Sequence, residues 1–395
     1  MKFRAKSIVS LSILLVLSLV FLAACGNGAG NGGSAEGGND GGNGGSNAAN
    51  SPTTPAGNGG SGEKIKLSMF IWAGANQDVV PKEVVANYIK EHPNVEVEFV
   101  ESSNSVMYPK MLAAKNADPN NPVVNFGYFN ADASAKGISD DMWEPLDPAI
   151  VTHMQDIPKQ YHTADNRGIV WGVSNFALVY NKDLVKTAPT SWSDLWENSE
   201  FKDKVALWDY MFYAYIAPVI ELKGQELGAS YEKPEAAFKF WAEHADQVRS
   251  LVTSNDQLKN MLVSGEALIA PFSSQTAQTW IDDEGLPLGV AIPKEGFISF
   301  PYSLQVVKGS TPEQTRVANE IINELLAPEN LTRYAEVTGT PVTSTAAAIP
   351  DKYKDDPSFS VEEQNKGLNP DWATMAKDAS VWKDFWDRLV KTKLN

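Results

Sequence analysis

The first part of the folded chain alternates between strand-like and helix-like patterns of apolar residues. Residues 65–72 alternate apolar and polar side chains and then become continuously apolar, which predicts a buried strand. Residues 81–92 carry apolar side chains at helical spacing, whereas residues 95–100 alternate strictly. A helix over 107–114 and a third strand over 122–126 follow. This order predicts a parallel sheet with right-handed crossovers, whose ligands lie beyond the carboxyl ends of the strands.

The middle of the chain, residues 171–208, predicts a strand that feeds a short helix and another strand. Residues 173–180 form a largely apolar run, and a turn follows at Asn181-Lys182-Asp183. The helix begins at Thr190 or Ser191, and residues 205–208 form the second strand. Such an order is typical of α/β architecture, and its central position is where a crossing between two lobes is expected.

The remainder of the chain continues the α/β pattern. A capping box at Thr311 and Gln314 starts one helix, and Ser254 caps another that stops at Gly265. The folded part, residues 63–395, is longer than one core usually grows, so two lobes are expected. The predicted helices cover 210–222, 234–248, 254–263, 274–280, 312–326 and 378–391, and the strands 267–270, 288–292 and 304–307.

The amino terminus has the features of an export signal followed by a lipidation site. Basic residues at positions 2, 4 and 6 precede an apolar run over 8–22, which is shorter than a membrane-spanning helix requires. Small residues then lead into Cys25, the one cysteine of the chain. Residues 26–62 are rich in Gly, Asn and Ser and predict a disordered tether. We therefore expect a domain anchored by a lipid on Cys25 to the outer face of the cell membrane.

Charge and composition narrow the classes of function. The formal net charge of −16 at pH 7 disfavours nucleic acid and anionic lipid as partners of the domain. The 4 histidines have no metal-ligand spacing, and neither a nucleophile elbow nor a phosphate-binding glycine loop is present in the sequence. We expect a binding protein that is not an enzyme and that needs neither cofactor nor metal.

Aromatic residues recur next to the predicted strand ends of both lobes. Aromatic walls with a few polar groups suit a small organic ligand or a cation held against ring faces. Each ring alone is a core candidate, and the recurrence is what favours a binding cleft. The residues are Trp72, Tyr128, Phe129, Phe272, Phe300 and Tyr302.

Three central segments carry a resemblance to a known family. The segments VYNKDLV, PTSWSDLW and FKDKVAL, over 179–185, 189–196 and 201–207, resemble the signature of bacterial extracellular solute-binding proteins. The similarity is greatest to the spermidine/putrescine and ferric-ion branch, and it spans 64–347. The resemblance implies a type II periplasmic-binding-protein fold of two lobes, joined by crossing strands and closing on a ligand. It also implies an ABC permease as partner, and we expect a monomer.

The implied domain boundaries follow the crossing strands, which the resemblance puts at 176–180 and 297–302. They are a signal peptide at 1–24, the lipidated cysteine and linker at 25–62, lobe 1 at 63–175, lobe 2 at 176–300, and a return to lobe 1 with carboxy-terminal helices at 301–395.

The resemblance also implies ligand-contacting positions. Trp72, Tyr128 and Phe300 match aromatic walls of a polyamine site, and Asp209 falls where polyamine binders have a carboxylate. Tyr302 departs from the family pattern, because a polyamine binder has an amine-pairing aspartate there. One carboxylate fits a monoamine, an amino-acid-like or a neutral polar compound better than a diamine. The predicted set is completed by Phe129, Asn175, Phe176, Tyr210, Phe272 and Ser273.

Three alternatives remain open at this stage. A ferric-ion binder requires tyrosine ligands, and Tyr213 and Tyr215 are the nearest candidates. An exported enzyme acting on glycan or peptide requires paired carboxylates in the cleft. A purely structural surface lipoprotein would have no cleft between lobes.

Overall fold

A computed structural model describes residues 64–72 and 76–394, with Val361 described by its backbone alone. The predicted signal peptide, Cys25 and the tether lie outside the described residues. Within the described ranges, no helix combines the length and apolar character needed to cross a bilayer.

Ten strands form one mixed sheet. Its order is β2-β1-β3-β10-β5-β8-β6-β7, with β4 paired to β10 and β9 paired to β5. Pairing is parallel within the group β2-β1-β3 and within the group β8-β6-β7. Between these groups, β10 pairs antiparallel with β3 and with β5, and β5 pairs antiparallel with β8. The strands are β1 (Ile65–Ile71), β2 (Val95–Glu101), β3 (Phe126–Asn130), β4 (Trp143–Glu144), β5 (Ile169–Asn181), β6 (Val205–Trp208), β7 (Val248–Val252), β8 (Ile269–Ser273), β9 (Leu288–Ala291) and β10 (Ile298–Val307).

Helices connect the strands and close the chain. The first ten are α1 (Val79–Glu91), α2 (Asn104–Ala117), α3 (Ala131–Ser139), α4 (Asp194–Glu197), α5 (Ile216–Leu227), α6 (Glu235–Glu243), α7 (Asn255–Ser264), α8 (Ser274–Glu284), α9 (Pro312–Leu325) and α10 (Pro328–Thr338). After α11 (Val361–Lys366) come the segments that we call the closing helices: α12 (Trp372–Lys377), α13 (Ala379–Phe385), a π-helical segment (Trp386–Lys391) and α14 (Thr392–Leu394).

Apolar side chains form separate cores in two halves of the molecule. In the first half, β1, β3 and the inner faces of α1 and α9 bury residues such as Met69, Phe126 and Ile321. In the second half, β6, β8 and α5 pack with the closing helices, which bury Trp382 and Trp386. Strands β5 and β10 contribute side chains to both halves, so they are the crossing strands. The predicted α/β fold with crossing strands is confirmed.

The closing helices pack on the core of the second half. The predicted apolar stripe along them is buried at Trp382 and Trp386, whereas Val381 is 45% exposed. This packing departs from the expected grouping of residues 301–395 with the first lobe. The lobe boundaries themselves stay a prediction.

Local sequence signals fixed several helix ends as expected. Thr311 and Gln314 form a reciprocal capping box with Pro312 in the first turn. The Ser254 side chain accepts a hydrogen bond from the Gln257 N–H, and Gly265 ends α7 with φ +74°.

Elements that differ from the sequence-based expectation include a shifted strand, a shortened helix and an additional helix. The third strand lies at Phe126–Asn130, not at 122–126, because antiparallel pairing with β10 holds Asn130 opposite Tyr302. The predicted helix 234–248 stops at Glu243, and Val248–Val252 pairs with β6 as a parallel strand. Helix α3 was not predicted, because ADASAKGIS has too few apolar residues to show a helical stripe.

Candidate functional site

Trp72, Tyr128 and Tyr302 come together at the carboxyl end of β1. The Trp72 ring centroid lies 5.0 Å from that of Tyr128 and 5.3 Å from that of Tyr302. The Tyr128 hydroxyl accepts a hydrogen bond from the backbone N–H of Trp72 at 3.0 Å and donates one to the backbone carbonyl of Gln77 at 3.2 Å. Both tyrosines are fully buried, and burial raises the pKa of Tyr302 to about 12. The three predicted residues therefore form one neutral aromatic group, in which Trp72 alone is partly exposed.

Phe129 points to the opposite face of the sheet from Tyr128. Its ring packs between Phe70 at 5.1 Å and Trp143 at 4.7 Å, and it is fully buried in the first half. A ligand contact for Phe129 has no support from this position, because successive side chains of a strand face opposite ways.

Phe176, Phe272 and Phe300 lie together where β5, β8 and β10 pass through the second half. The Phe176 ring centroid is 6.0 Å from Phe300 and 6.3 Å from Phe272. Phe272 is sandwiched in parallel by Trp208 and Trp280, at 6.0 and 5.1 Å. Phe300 is the partly exposed member of the group.

Asn175 and Ser273 make structural contacts in the crossing strand β5 and at the start of α8. Asn175 is fully buried and donates from Nδ2 to the Ser358 carbonyl at 3.3 Å. Ser273 caps α8, because its hydroxyl accepts a hydrogen bond from the Thr276 N–H at 3.3 Å. Gln275 Oε1 accepts hydrogen bonds at 3.1 Å from the Ser174 hydroxyl and the Asn175 N–H, which joins α8 to β5.

Asp209 is already paired within the protein. Its Oδ1 accepts a hydrogen bond from Trp386 Nε1 at 2.7 Å, and its Oδ2 accepts one from Lys391 Nζ at 2.9 Å. The expectation that Asp209 faces a cationic ligand is therefore not supported, because an internal ammonium occupies that carboxylate.

Tyr210 lies beside Asp209 and also contacts the closing helices. Its hydroxyl donates to Asp387 Oδ1 at 2.8 Å, and its ring is 40% exposed. Unlike Asp209, Tyr210 lines a cavity between the two halves.

This cavity of about 250 Å³ lies between α3 of the first half and the closing helices of the second half. Aromatic and small apolar side chains form most of its wall, and Asp132 supplies a carboxylate. The lining residues are Asp132, Tyr210, Phe212, Tyr213, Trp372, Met375, Ala376, Ala379, Trp382 and Lys383.

Asp132 is exposed to solvent on one side, and protein atoms surround its carboxyl group on the others. It follows Asn130, whose side chain caps α3 by accepting a hydrogen bond from the Ala133 N–H. Solvent reaches Asp132, yet the surrounding protein desolvates its carboxyl and raises its pKa above the ordinary value. The one side-chain donor recorded near it in the described ranges is Asn130 Nδ2, at 3.5 Å. Asp132 is thus a carboxylate that lacks a cationic partner among the described residues.

Three aromatic rings beside the cavity contact one another. Tyr213 stacks on Phe300 at 4.9 Å, and Trp372 lies 5.1 Å from Tyr213 and 5.4 Å from Phe300. Asp132 and Tyr213 both line this cavity, and the charge of Asp132 contributes to the raised pKa of Tyr213. A carboxylate beside aromatic faces is an arrangement that binds organic cations.

Sequence reasoning missed Asp132 and Trp372 and weighed Tyr213 solely as a metal ligand. Asn130 as a cap before Ala131-Asp132 was the available signal for α3. Tyr213 and Tyr215 are both buried among apolar residues, and burial raises the pKa of each well above 10.0. Within residues 64–72 and 76–394, no three His, Cys, Asp or Glu side chains are grouped as metal ligands.

A second cavity, of about 290 Å³, lies on the first half between α1 and α9. Its wall includes Tyr88 and Glu320, and the Tyr88 hydroxyl donates to the Glu320 carboxylate. Arg316 also pairs with Glu320. Since this cavity touches one half alone, the cavity at Asp132 is the better candidate for a ligand held between the halves.

Comparison with known proteins identifies relatives for both sequence and fold. Residues 83–361 match the protein family described as bacterial extracellular solute-binding protein. A Salmonella typhi protein named as a candidate 2-aminoethylphosphonate-binding periplasmic protein is 24% identical over 235 residues, which is 56% of this chain and 65% of that protein. The match thus spans less than two thirds of that relative's length.

Solved structures with the same fold cover most of the chain. An ABC transporter structure from Clostridium perfringens has a TM-score of 0.68 at 20% identity and covers 82% of this chain and 99% of that one. A spermidine/putrescine ABC transporter substrate-binding protein from Streptococcus pneumoniae has a TM-score of 0.65 at 19% identity, with 84% and 99% covered. These similarities establish the type II periplasmic-binding-protein fold.

Proposed function

The chain belongs to the bacterial extracellular solute-binding proteins, and from this premise we propose that it is the substrate-binding component of an ABC importer. It captures a small extracellular solute between its two halves and delivers it to the permease. The observation that carries this proposal is the cavity between α3 and the closing helices, where Asp132 lies beside aromatic rings. It acts by binding, without catalysis.

The ligand is a small organic amine. A protonated amino group placed against Asp132 would supply the cationic partner that this carboxylate lacks, and ring faces of Tyr213 and Trp372 would contact its carbon atoms. The names of the relatives support this class, because aminoethylphosphonate, spermidine and putrescine all contain an amino group. The single carboxylate of the cavity favours a ligand with one ammonium over a polyamine.

Closure on the ligand follows from the split lining of the site. Asp132 belongs to the first half, whereas Tyr213 and Trp372 belong to the second. A ligand that touches both halves binds the closed form more tightly and shifts the population toward it. Strands β5 and β10 connect the halves and are the hinge, and the closed form is the one that docks on the permease.

The domain works at the outer face of the membrane as a monomer. A lipid on Cys25 would hold it there. One acyl chain binds membranes only marginally, so stable anchoring would require a second acyl chain or another membrane contact.

Thermal shift on the purified chain tests the proposal. A ligand at one hundred times its Kd should stabilise the fold by about 2.7 kcal/mol. We expect such a shift with one class of small amine, and mass spectrometry of co-purifying molecules should identify a member of that class. Absence of a shift across amines, amino acids, aminophosphonates, sugars and ferric salts would refute a solute-binding role.

A further inference from the structure

The cavity at Asp132 receives much of its wall from the end of the chain. The family match ends at residue 361, whereas Trp372, Met375 and Lys383 line the cavity from the closing helices. Helix α12 packs against α3, which carries Asp132. The distance between the carboxylate and the opposite wall therefore depends on where the closing helices sit.

A network of polar contacts fixes the closing helices to the loop after β6. Asp209 accepts hydrogen bonds from Trp386 and Lys391, as described above, and the Asp209 N–H donates to the Val252 carbonyl at the end of β7, at 3.0 Å. The side chain of Asp209 is 13% exposed and that of Lys391 is 28% exposed. This hydrogen bond raises the pKa of Lys391, so its ammonium group is charged at neutral pH.

Tyr210 extends the network to the cavity. Its backbone has φ 64°, a left-handed conformation that a bulky residue adopts only when its surroundings hold it there. The ammonium groups of Lys383 and Lys391 lie 4.8 and 4.7 Å from the centroid of its ring. Its hydroxyl donates to Asp387, so three side chains of the closing helices constrain one residue.

We propose that Asp209, Tyr210 and Lys391 form a latch that sets ligand size by holding the closing helices against the 209–213 loop. Asp209 and Lys391 are positioning residues, and Trp372 is the specificity-determining residue that they position. With the latch closed, Trp372 limits the site to short amines, because α12, which carries Trp372, is held against α3, which carries Asp132. The inference rests on the proposed function, since it concerns the same cavity.

The test compares affinities across a graded ligand series in the full chain. Unbranched primary amines from ethylamine to hexylamine are titrated into the wild type and into the variants Lys391→Met, Tyr210→Leu and Trp372→Ala. The measured quantity is the ratio of affinities for the shortest and longest amines, which a uniform loss of folded protein does not change. Lys202→Met is the matched control, because Lys202 pairs with Asp246 at 2.9 Å on the same half, away from the cavity.

We expect the wild type to favour short amines, and each of the three variants to reduce this ratio at least fivefold. Lys202→Met should leave it within twofold. In Lys391→Met without ligand, hydrogen exchange of the backbone amides at 209–213 should accelerate at least tenfold, because the latch is open. This second measurement does not depend on any ligand.

The outcomes separate this inference from the proposed function. An unchanged affinity ratio in Lys391→Met and Tyr210→Leu, or unchanged exchange at 209–213, overturns the latch. If Asp132→Asn still weakens every amine in that case, the proposed amine site stands without the latch. If Asp132→Asn has no effect, or if no amine binds the wild type, the proposed ligand site itself is wrong and the latch inference falls with it.

Discussion

Replacing Asp132 by Asn tests the charge at the centre of the candidate site. The substitution keeps the size of the side chain and removes its charge. In the described ranges, the one side-chain donor near this carboxylate is Asn130 Nδ2, 3.5 Å from Asp132 Oδ2. A bound ammonium would therefore be the main polar partner of Asp132. A hydrogen bond to a charged group contributes about 1.5–3 kcal/mol. The affinity for a protonated amine should therefore fall roughly 10- to 150-fold.

Isothermal titration of an amine and of the alcohol with the same carbon skeleton isolates the charge term. Asp132→Asn should weaken the amine and leave the alcohol within about threefold, because the alcohol makes no ion pair. Asp351→Asn is the matched control, since the side chain of Asp351 is 93% exposed and pairs only with its neighbour Lys354 among the described residues. The reasoning is refuted if amine and alcohol lose affinity equally, or if the control behaves like Asp132→Asn.

Stability provides an independent check on the same variant. Burial raises the pKa of Asp132 in the folded state, so its charged form opposes folding at pH values above that pKa. Removing the charge should leave the Tm at pH 7 equal to or higher than that of the wild type. A weaker ligand affinity in a protein that is at least as stable cannot be attributed to unfolding. A lower Tm would instead show that the interaction of the carboxylate with the first turn of α3 outweighs the cost of its desolvation.

Three further predictions concern the charge of Asp132, the hydrogen bond of Trp386 and the packing at Gly137. The affinity for an amine should fall on acidification, beginning above the pH at which an ordinary Asp is protonated, because the pKa of Asp132 is raised. Titration calorimetry from pH 4 to 8 checks this, and a profile that Asp132→Asn leaves unchanged contradicts it. Of the other titratable lining groups, Tyr213 and Lys383 have raised pKa values and do not interfere, and Tyr210 is the third. Trp386→Phe removes the hydrogen bond to Asp209 and should lower the free energy of unfolding in urea by about 1–3 kcal/mol, whereas an unchanged midpoint would show that this bond contributes nothing. Gly137→Ala puts a Cβ into the space of the buried Trp143 ring and should destabilise the fold by about 1–3 kcal/mol while weakening amine binding through α3. Ser139→Ala, exposed on the same helix, is the control, and equal stability of the two variants would argue against close packing at Gly137.

Local chemistry made much of the fold predictable. The capping box at Thr311 and the Ser254 cap act within four residues, so the sequence alone contains both partners. The central crossing strand was visible because both of its faces are buried and its residues are largely apolar. Strand β7 was missed for the opposite reason. Val248–Val252 follows a helix directly, and only pairing with β6 gives it strand structure.

The site was less predictable, because its charges are decided by partners far away in the chain. Asp209 was expected to bind a cation, and it does, but the cation is Lys391, which lies 182 residues further along. Asp132 drew no attention, since it lies in a helix without an apolar stripe and next to no other motif. Of the two carboxylates, the one that the closing helices neutralise cannot also hold a ligand ammonium without losing its ion pair. Asp132, for which the described residues supply no cation, can hold a ligand ammonium. In the proposed site, the closing helices thus occupy Asp209 and leave Asp132 for the ligand.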